Sequence, residues 1–157
     1  MILFSHRGNL HGPLPERENS PRYIEEAISL GYKVEIDVWS INGIHFLGHD
    51  GPAFEINHSW LENKPLLCHA KNVEALESMI SNPAIHCFWH EEDKYTITSK
   101  GYVVSYPGFC EAGQKTIVMK PEFHNTRVKN CYGICSDYIS RYKDDKYKEY
   151  SNFTSTR

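Results

Sequence analysis

The sequence predicts an α/β fold over residues 1–157: a reduced or incomplete (β/α) barrel. Its sheet is expected to hold about seven to eight mostly parallel strands, with few helices in the second half. Three observations carry this reading. The first half alternates strand-like runs with amphipathic helical patterns, the signature of parallel βα units. From the fourth run onward the strands follow one another too closely for the roughly 30 residues of a βαβ unit. A complete TIM barrel needs about 250 residues, so a chain of 157 can hold only a pared-down, TIM-like one.

The elements follow in order. Strand-like runs lie at Ile2–Ser5, Lys33–Val38, Leu66–His69, Ile85–Trp89, Tyr102–Ser105, Thr116–Met119 and Tyr132–Cys135. The first helix has clear punctuation: Ser20 suits its cap, Pro21 its first turn and Gly31 its end. Ile24, Ala27 and Ile28 recur at helical spacing on its core face. A second helix over Asn72–Ile80 is expected to bury Val73, Leu76 and Met79 or Ile80. Asn42-Gly43 turns a hairpin after the second strand. No repeat or linker divides the chain, and the tail from about 141 is mixed in charge, suited to a solvated helix or a flexible end.

Composition narrows the function. A hydrophobic fraction of 40% and a charged fraction of 24% are those of a globular chain. The net charge of −3, with no basic arm, argues against a nucleic-acid partner. No apolar run is long enough for a membrane span. Met1 leads directly into a strand, so no signal peptide and a cytoplasmic location are expected. The five cysteines are odd in number and fit buried reduced thiols. Cys131 and Cys135 lack the second pair of ligands that a zinc site needs.

Nine histidines exceed what packing requires, and several stand beside carboxylates. In "KVEIDVW" the period is two, so Glu35 and Asp37 share one face. Two readings stay open: an antiparallel strand with a wet face, or a buried parallel strand pointing both carboxylates inward. Inside, they would repel each other and lose hydration, and a divalent cation would compensate. "LLCHAKN" puts His69 and Lys71 on one face of the next strand, a third candidate ligand and a cation. His6-Arg7 closes the first strand and His49-Asp50 closes the hairpin. Two imidazoles can divide general acid and base work, and Arg7 offers a fork matched to phosphate. Together these residues describe phosphodiester cleavage. "HEED" at His90 is not a zincin motif, because Lys94 occupies the second histidine's place. His90 is nonetheless a candidate to line the site, while His86 reads as structural.

The order HRG, EN[ST], ExD, HD resembles the glycerophosphodiester phosphodiesterase family. Here it reads His6-Arg7-Gly8, Glu18-Asn19-Ser20, Glu35-Ile36-Asp37 and His49-Asp50, covering the first third of the chain. "LLCHAKN" and "GICSDYI" are weaker echoes of the family's Glu-x-Lys and G-x-x-[ST]-D strands. The resemblance implies a metal-dependent phosphodiesterase barrel with His6 and His49 as acid/base histidines and Arg7 on the phosphate. Glu35 and Asp37 would be metal ligands, Lys71 would stabilise phosphoryl charge, and Glu18 would support the rim. Asn19 and Asp50 belong to the same motifs and would bind substrate or support the site.

Two departures matter. The resemblance implies Mg²⁺ or Ca²⁺ as the cation, but the family's third acidic ligand is His69 here, which admits Mn²⁺ or Zn²⁺ as well, or leaves His69 outside the metal's shell. The chain is also shorter than family barrels, whose later loops shape the substrate pocket. The expected activity is hydrolysis of a small, glycerophosphodiester-like phosphodiester. The alternative is a non-catalytic barrel that binds a phosphorylated sugar or glycerol group.

Overall fold

The computed structural model describes residues 1–109, 112–124, 128 and 130–143. Residues 144–157, most of the expected tail, lie outside them, as does Cys110. The runs rich in β-branched and aromatic residues form the centre of one sheet. Strand β1 (Ile2–His6) lies between β2 (Lys33–Ile41) and β10 (Gly133–Ser136), parallel to both. On one side β5 (Leu66–Ala70) joins β2, and β6 (Cys87–Trp89) joins β5, again in parallel. On the other, β9 (Thr116–Met119) and β8 (Val103–Ser105) continue the parallel run from β10.

The sheet is nevertheless mixed, which corrects the expectation of a mostly parallel barrel. β2 runs nine residues. Val34–Val38 pair with β5, whereas Val38–Ile41 pair antiparallel with β3 (Ile44–Leu47). The strand therefore splits the sheet, and β3 passes the edge on to β4 (Phe54–Ile56), also antiparallel. A third antiparallel pair joins β7 (Tyr95–Ile97) to β8. Among the described residues no ladder joins β6 to β7 or β8, so the sheet curls without closing. β4 and β7 are three residues each, too short to show a period of two in the sequence.

Both α-helices of the described residues fall in the first half: α1 (Pro21–Ser29) and α2 (Val73–Ile80). Among the described residues the second half has only single 3₁₀ turns at Pro121–His124 and Ile139–Tyr142. Pro21 opens α1 as expected, but the Ser20 hydroxyl donates to Arg17 O instead of capping the helix. On α2, Asn72 is a true cap, its side chain accepting from Ala75 N–H at 3.1 Å. The predicted face of α2 is displaced. Ala75 and Met79, one turn apart, are buried, Leu76 is packed against the same cluster, and Val73 and Ile80 are exposed.

The period-two alternation in β2 sorts the core into two layers. Val34, Ile36 and Val38, with Cys68 and Ala70, face the helices and share a cluster with Ala75 and Met79 of α2. The opposite face of the sheet packs Phe4, Leu67, Phe88, Val104, Ile117 and Cys135 inside the curl. Cys68, Cys87 and Cys135 are buried free thiols, and burial pushes each of their pKa values up. Among the described residues no helix is long and apolar enough to cross a membrane.

Candidate active site

Strand register builds the site. Because β1 and β2 are parallel with His6 opposite Glu35, and β2 and β5 with Asp37 opposite His69, four polar groups converge at one end of the curl. Both carboxylates are buried, so the inward-facing reading of "KVEIDVW" holds over the wet-face one. Burial, reinforced by the negative Asp37, raises the Glu35 pKa to about 8. Burial acts on Asp37 the same way, but His69, Arg7 and Lys71 outweigh it and hold that carboxyl below its ordinary range. One carboxyl is thus proton-prone and its neighbour ionised.

His69 Nε2 lies 2.9 Å from the carbonyl of His90, which can only accept, so Nε2 carries the hydrogen. Nδ1 lies 3.2 Å from Asp37 Oδ1 and 3.9 Å from Glu35 Oε1, where it can carry a proton toward them or present a lone pair to a cation. Asp37 Oδ1 and Glu35 Oε2 are both buried without a hydrogen bond. With Glu35 proton-prone, a proton among these three atoms offsets their repulsion, and a divalent cation could take its place. One ligand atom from each of Glu35, Asp37 and His69 falls within 4.8 Å of the other two. That span suits one ion with ligands at about 2.0–2.4 Å. The donor of the second imidazole nitrogen to a carbonyl is also the usual support of a metal-bound histidine. The residues therefore fit a divalent cation, with His69 in the ligand set.

His6 is oriented by a residue from the far end of the chain. Its Nδ1 stands 2.6 Å from Asp137 Oδ1, which leaves Nε2 free toward Glu35 Oε2 at 3.8 Å. Burial lowers the His6 pKa despite the Asp137 hydrogen bond, which favours the neutral ring. Asp137 is itself fixed: Asn9 Nδ2 donates to Oδ1 at 2.9 Å and Lys120 Nζ lies 3.0 Å from Oδ2. Glu122 Oε1 accepts its backbone N–H at 3.1 Å. Burial alone would raise the Asp137 pKa; His6, the Asn9 hydrogen bond and the Lys120 charge lower it.

Arg7 and Asn19 tie this floor to the rim. Arg7 Nε lies 2.9 Å from Asp37 Oδ2, and its NH1 donates to Glu18 Oε2 at 3.2 Å. Burial opposes the guanidinium charge, but Asp37, Glu35 and Glu18 raise its pKa. Asn19 grips Asp37 twice, donating to Oδ2 and accepting the backbone N–H, each at 2.9 Å. Both residues have left-handed backbones, with φ of 54° at Arg7 and 61° at Asn19. Gly8, at φ 97°, lies so close to Tyr23 that a Cβ would come within 2.6 Å of its ring. The HRG and EN motifs are thus two tight turns aimed at one carboxylate.

Beyond them opens a cavity of about 400 Å³ lined by Arg7, Glu18, Asn19, His49, Asp50 and Phe54, among others. His49 projects from the β3–β4 connection with Nδ1 2.6 Å from Asp50 Oδ1. Its turn depends on Gly48, where a Cβ would meet Gly51 O at 2.1 Å. Trp39 Nε1 donates to Gly48 O at 2.7 Å and holds the loop over β2. His49 and Asp50 thus share the cavity with Arg7, while His6, Glu35 and His69 form the adjoining floor. Lys71 Nζ stands 3.6 Å from Asp37 Oδ1, on that floor.

His90 enters the site through its carbonyl, on His69. Its imidazole stacks on Tyr106, with ring centroids 5.2 Å apart, and donates from Nδ1 to Glu91 O. Asp137, Asn9 and Lys120 are the residues that sequence reasoning did not single out. The "GICSDYI" run carried the signal for Asp137, since an acid directly after a parallel strand emerges at the same end as His6. No family model, curated protein or solved structure matches the chain.

Proposed function

We propose that the protein is a metal-dependent phosphodiesterase acting on a small phosphodiester. The observation that carries this reading is the pairing, on one floor, of the Glu35–Asp37–His69 cluster with a neutral, Asp137-anchored His6. Glu35, Asp37 and His69 would hold a divalent cation, which when bound polarises a phosphoryl oxygen. His69 tilts the preference toward Mn²⁺ or Zn²⁺, and two carboxylates keep Mg²⁺ and Ca²⁺ competent. Arg7 and Lys71 supply positive charge to the phosphate. One imidazole takes the proton of the attacking hydroxyl as the new O–P bond forms. The other protonates the leaving alkoxide as its P–O bond breaks. His6 Nε2 faces the floor and His49 the cavity, which suits them to opposite ends of such a reaction.

Lys71→Met distinguishes catalysis from mere binding of a phosphorylated group. Charge on the phosphoryl oxygens changes toward the transition state, so an enzyme loses turnover more than it gains in KM. The test is metal-dependent turnover of a phosphodiester panel by wild type and Lys71→Met. A silent panel, alongside saturable binding of phosphorylated ligands that weakens in Lys71→Met, would mark a binding protein instead.

A further inference from the structure

The floor carries a third cation that the proposed reaction leaves unused. Among the described residues six non-glycine positions have left-handed backbones, and four of them are asparagines, which tolerate that conformation. The other two are Arg7, at φ 54°, and Lys120, at φ 46°. Arg7 directly follows β1 and Lys120 directly follows β9. Asparagine or glycine would suit either backbone better. What the two positions share is a cationic side chain turned onto a buried aspartate.

The two aspartates are held alike. Asp37 has Arg7 Nε 2.9 Å from Oδ2, with His69 Nδ1 3.2 Å and Lys71 Nζ 3.6 Å from Oδ1. Asp137 has Lys120 Nζ 3.0 Å from Oδ2 and His6 Nδ1 2.6 Å from Oδ1. Each carboxylate thus sets a cation beside an imidazole. The strand order β9–β10–β1–β2–β5 places Lys120 on one side of His6 and Lys71 on the other.

Neutralising Asp137 does not use up the ammonium of Lys120. It has three N–H groups, and among the described residues Asp137 is the one carboxylate within ion-pair distance of it. Glu122, in the same connection, is turned to the Asp137 backbone N–H instead. The exposed ring of Phe123 covers one side of the ammonium, with its centroid 4.8 Å away. The Lys120 side chain is nevertheless 19% exposed, against 17% for Arg7, 19% for Lys71 and 5% for Asp137 itself. It is as open as the two cations already assigned to the phosphate.

We infer that Lys120 is an anion-binding residue of this site, taking an oxygen of a phosphate group on the side of His6 away from Lys71. A phosphate seated there is held by cations on both sides of the imidazole. As a phosphate site the inference stands by itself; a part in turnover rests on the phosphodiesterase reading.

Inorganic phosphate is the probe. Titrated into the intact chain, it should bind saturably and shift the Lys120 ammonium signal in proton–nitrogen-15 spectra, whereas chloride at equal ionic strength should not. Lys120→Met should weaken phosphate binding about tenfold, the loss of one charge-assisted hydrogen bond, and Lys120→Arg should stay within about threefold of wild type. On a phosphodiester that wild type turns over, Lys120→Met should raise KM by a similar factor. An ammonium signal that phosphate leaves unmoved, or equal phosphate affinity in wild type and Lys120→Met, would confine Lys120 to fixing Asp137 and overturn the inference. A wild type silent on every phosphodiester would remove the part in turnover and leave the phosphate titration to decide. The wild-type ammonium signal decides even where Lys120→Met does not fold.

Discussion

His6 Nδ1 and Asp137 Oδ1 stand 2.6 Å apart although 131 residues separate them in the chain. β1 and β10 are parallel neighbours with Ser5 opposite Ser136, so the next residue on each strand emerges on the same rim. An acid there fixes the histidine's tautomer, which a proton carrier requires. Asp137→Asn can instead offer its amide hydrogen to Nδ1, placing the ring's own hydrogen on Nε2 and ending its use as a base. The expected loss of turnover is about 10²- to 10⁴-fold, with circular dichroism unchanged. Because the carboxyl's pKa is depressed in the fold, its stabilising effect is present at neutral pH and is lost as pH falls through the carboxylate range. The stability deficit of Asp137→Asn should therefore shrink on acidification. Near-wild-type turnover would remove Asp137 from the mechanism.

Glu35 carries the opposite sign. A folded-state pKa near 8, against an ordinary 4.5, means the folded chain holds a proton that the unfolded chain has released. The metal-free protein should therefore lose stability as pH rises from about 4.5 toward 8. Glu35→Gln should remove that slope and melt higher than wild type at pH 7.5 without metal. A cation should reverse the ranking: at 100-fold over its Kd it adds about 2.7 kcal/mol to wild type alone. At roughly 2–4 °C per kcal/mol for a chain of this size, that is a rise of about 5–10 °C. Thermal scans with Mg²⁺, Ca²⁺, Mn²⁺ and Zn²⁺ read both effects. An equal rise in Glu35→Gln would discard the ligand assignment.

The sequence disclosed the site better than the sheet, for identifiable reasons. Glu35 and Asp37 advertised themselves because two carboxylates at period two in an apolar run need an explanation that Val34, Ile36 and Val38 do not. The turn at Asn42-Gly43 was equally legible, since adjacent residues at φ 52° and 79° demand those residue types. The split of β2 was not, because nothing in "KVEIDVWSI" marks Val38 as the residue where one partner replaces another. Val73 and Ile80 misled for a related reason. On a helix this short, apolar spacing alone does not say which stripe meets the sheet, and small Ala75 took the buried place. Asp137 was hidden by distance: only the β1–β10 pairing makes it a neighbour of His6.

Asn19 should behave as a structural keystone of the floor. It satisfies both the backbone N–H and the Oδ2 of a buried aspartate. Asn19→Ala leaves those groups unmatched and keeps the left-handed backbone, at φ 61°, without the side chain suited to it. A loss of about 1–3 kcal/mol is expected, measurable by urea unfolding. Metal affinity should fall with it, because Asp37 loses two of its restraints. A variant as stable as wild type would show that water replaces the amide at no cost.

The two histidines of the HRG and HD motifs should divide the pH profile between them. His6 is buried and anchored by Asp137, and its pKa lies below the ordinary 6.5. His49 is on the cavity wall, paired with the exposed Asp50. If one imidazole must be neutral and the other protonated, kcat/KM is bell-shaped in pH. With His6 as the base, its lowered pKa extends the plateau toward acid, and the acid limb marks its protonation. His6→Ala and His49→Ala should each cost orders of magnitude in rate and each flatten a different limb. The metal-induced rise in melting temperature should persist in both variants, since neither histidine is a ligand. Two variants that flatten the same limb would mean that only one of the pair carries a proton, and activity within about threefold of wild type would exclude the residue concerned.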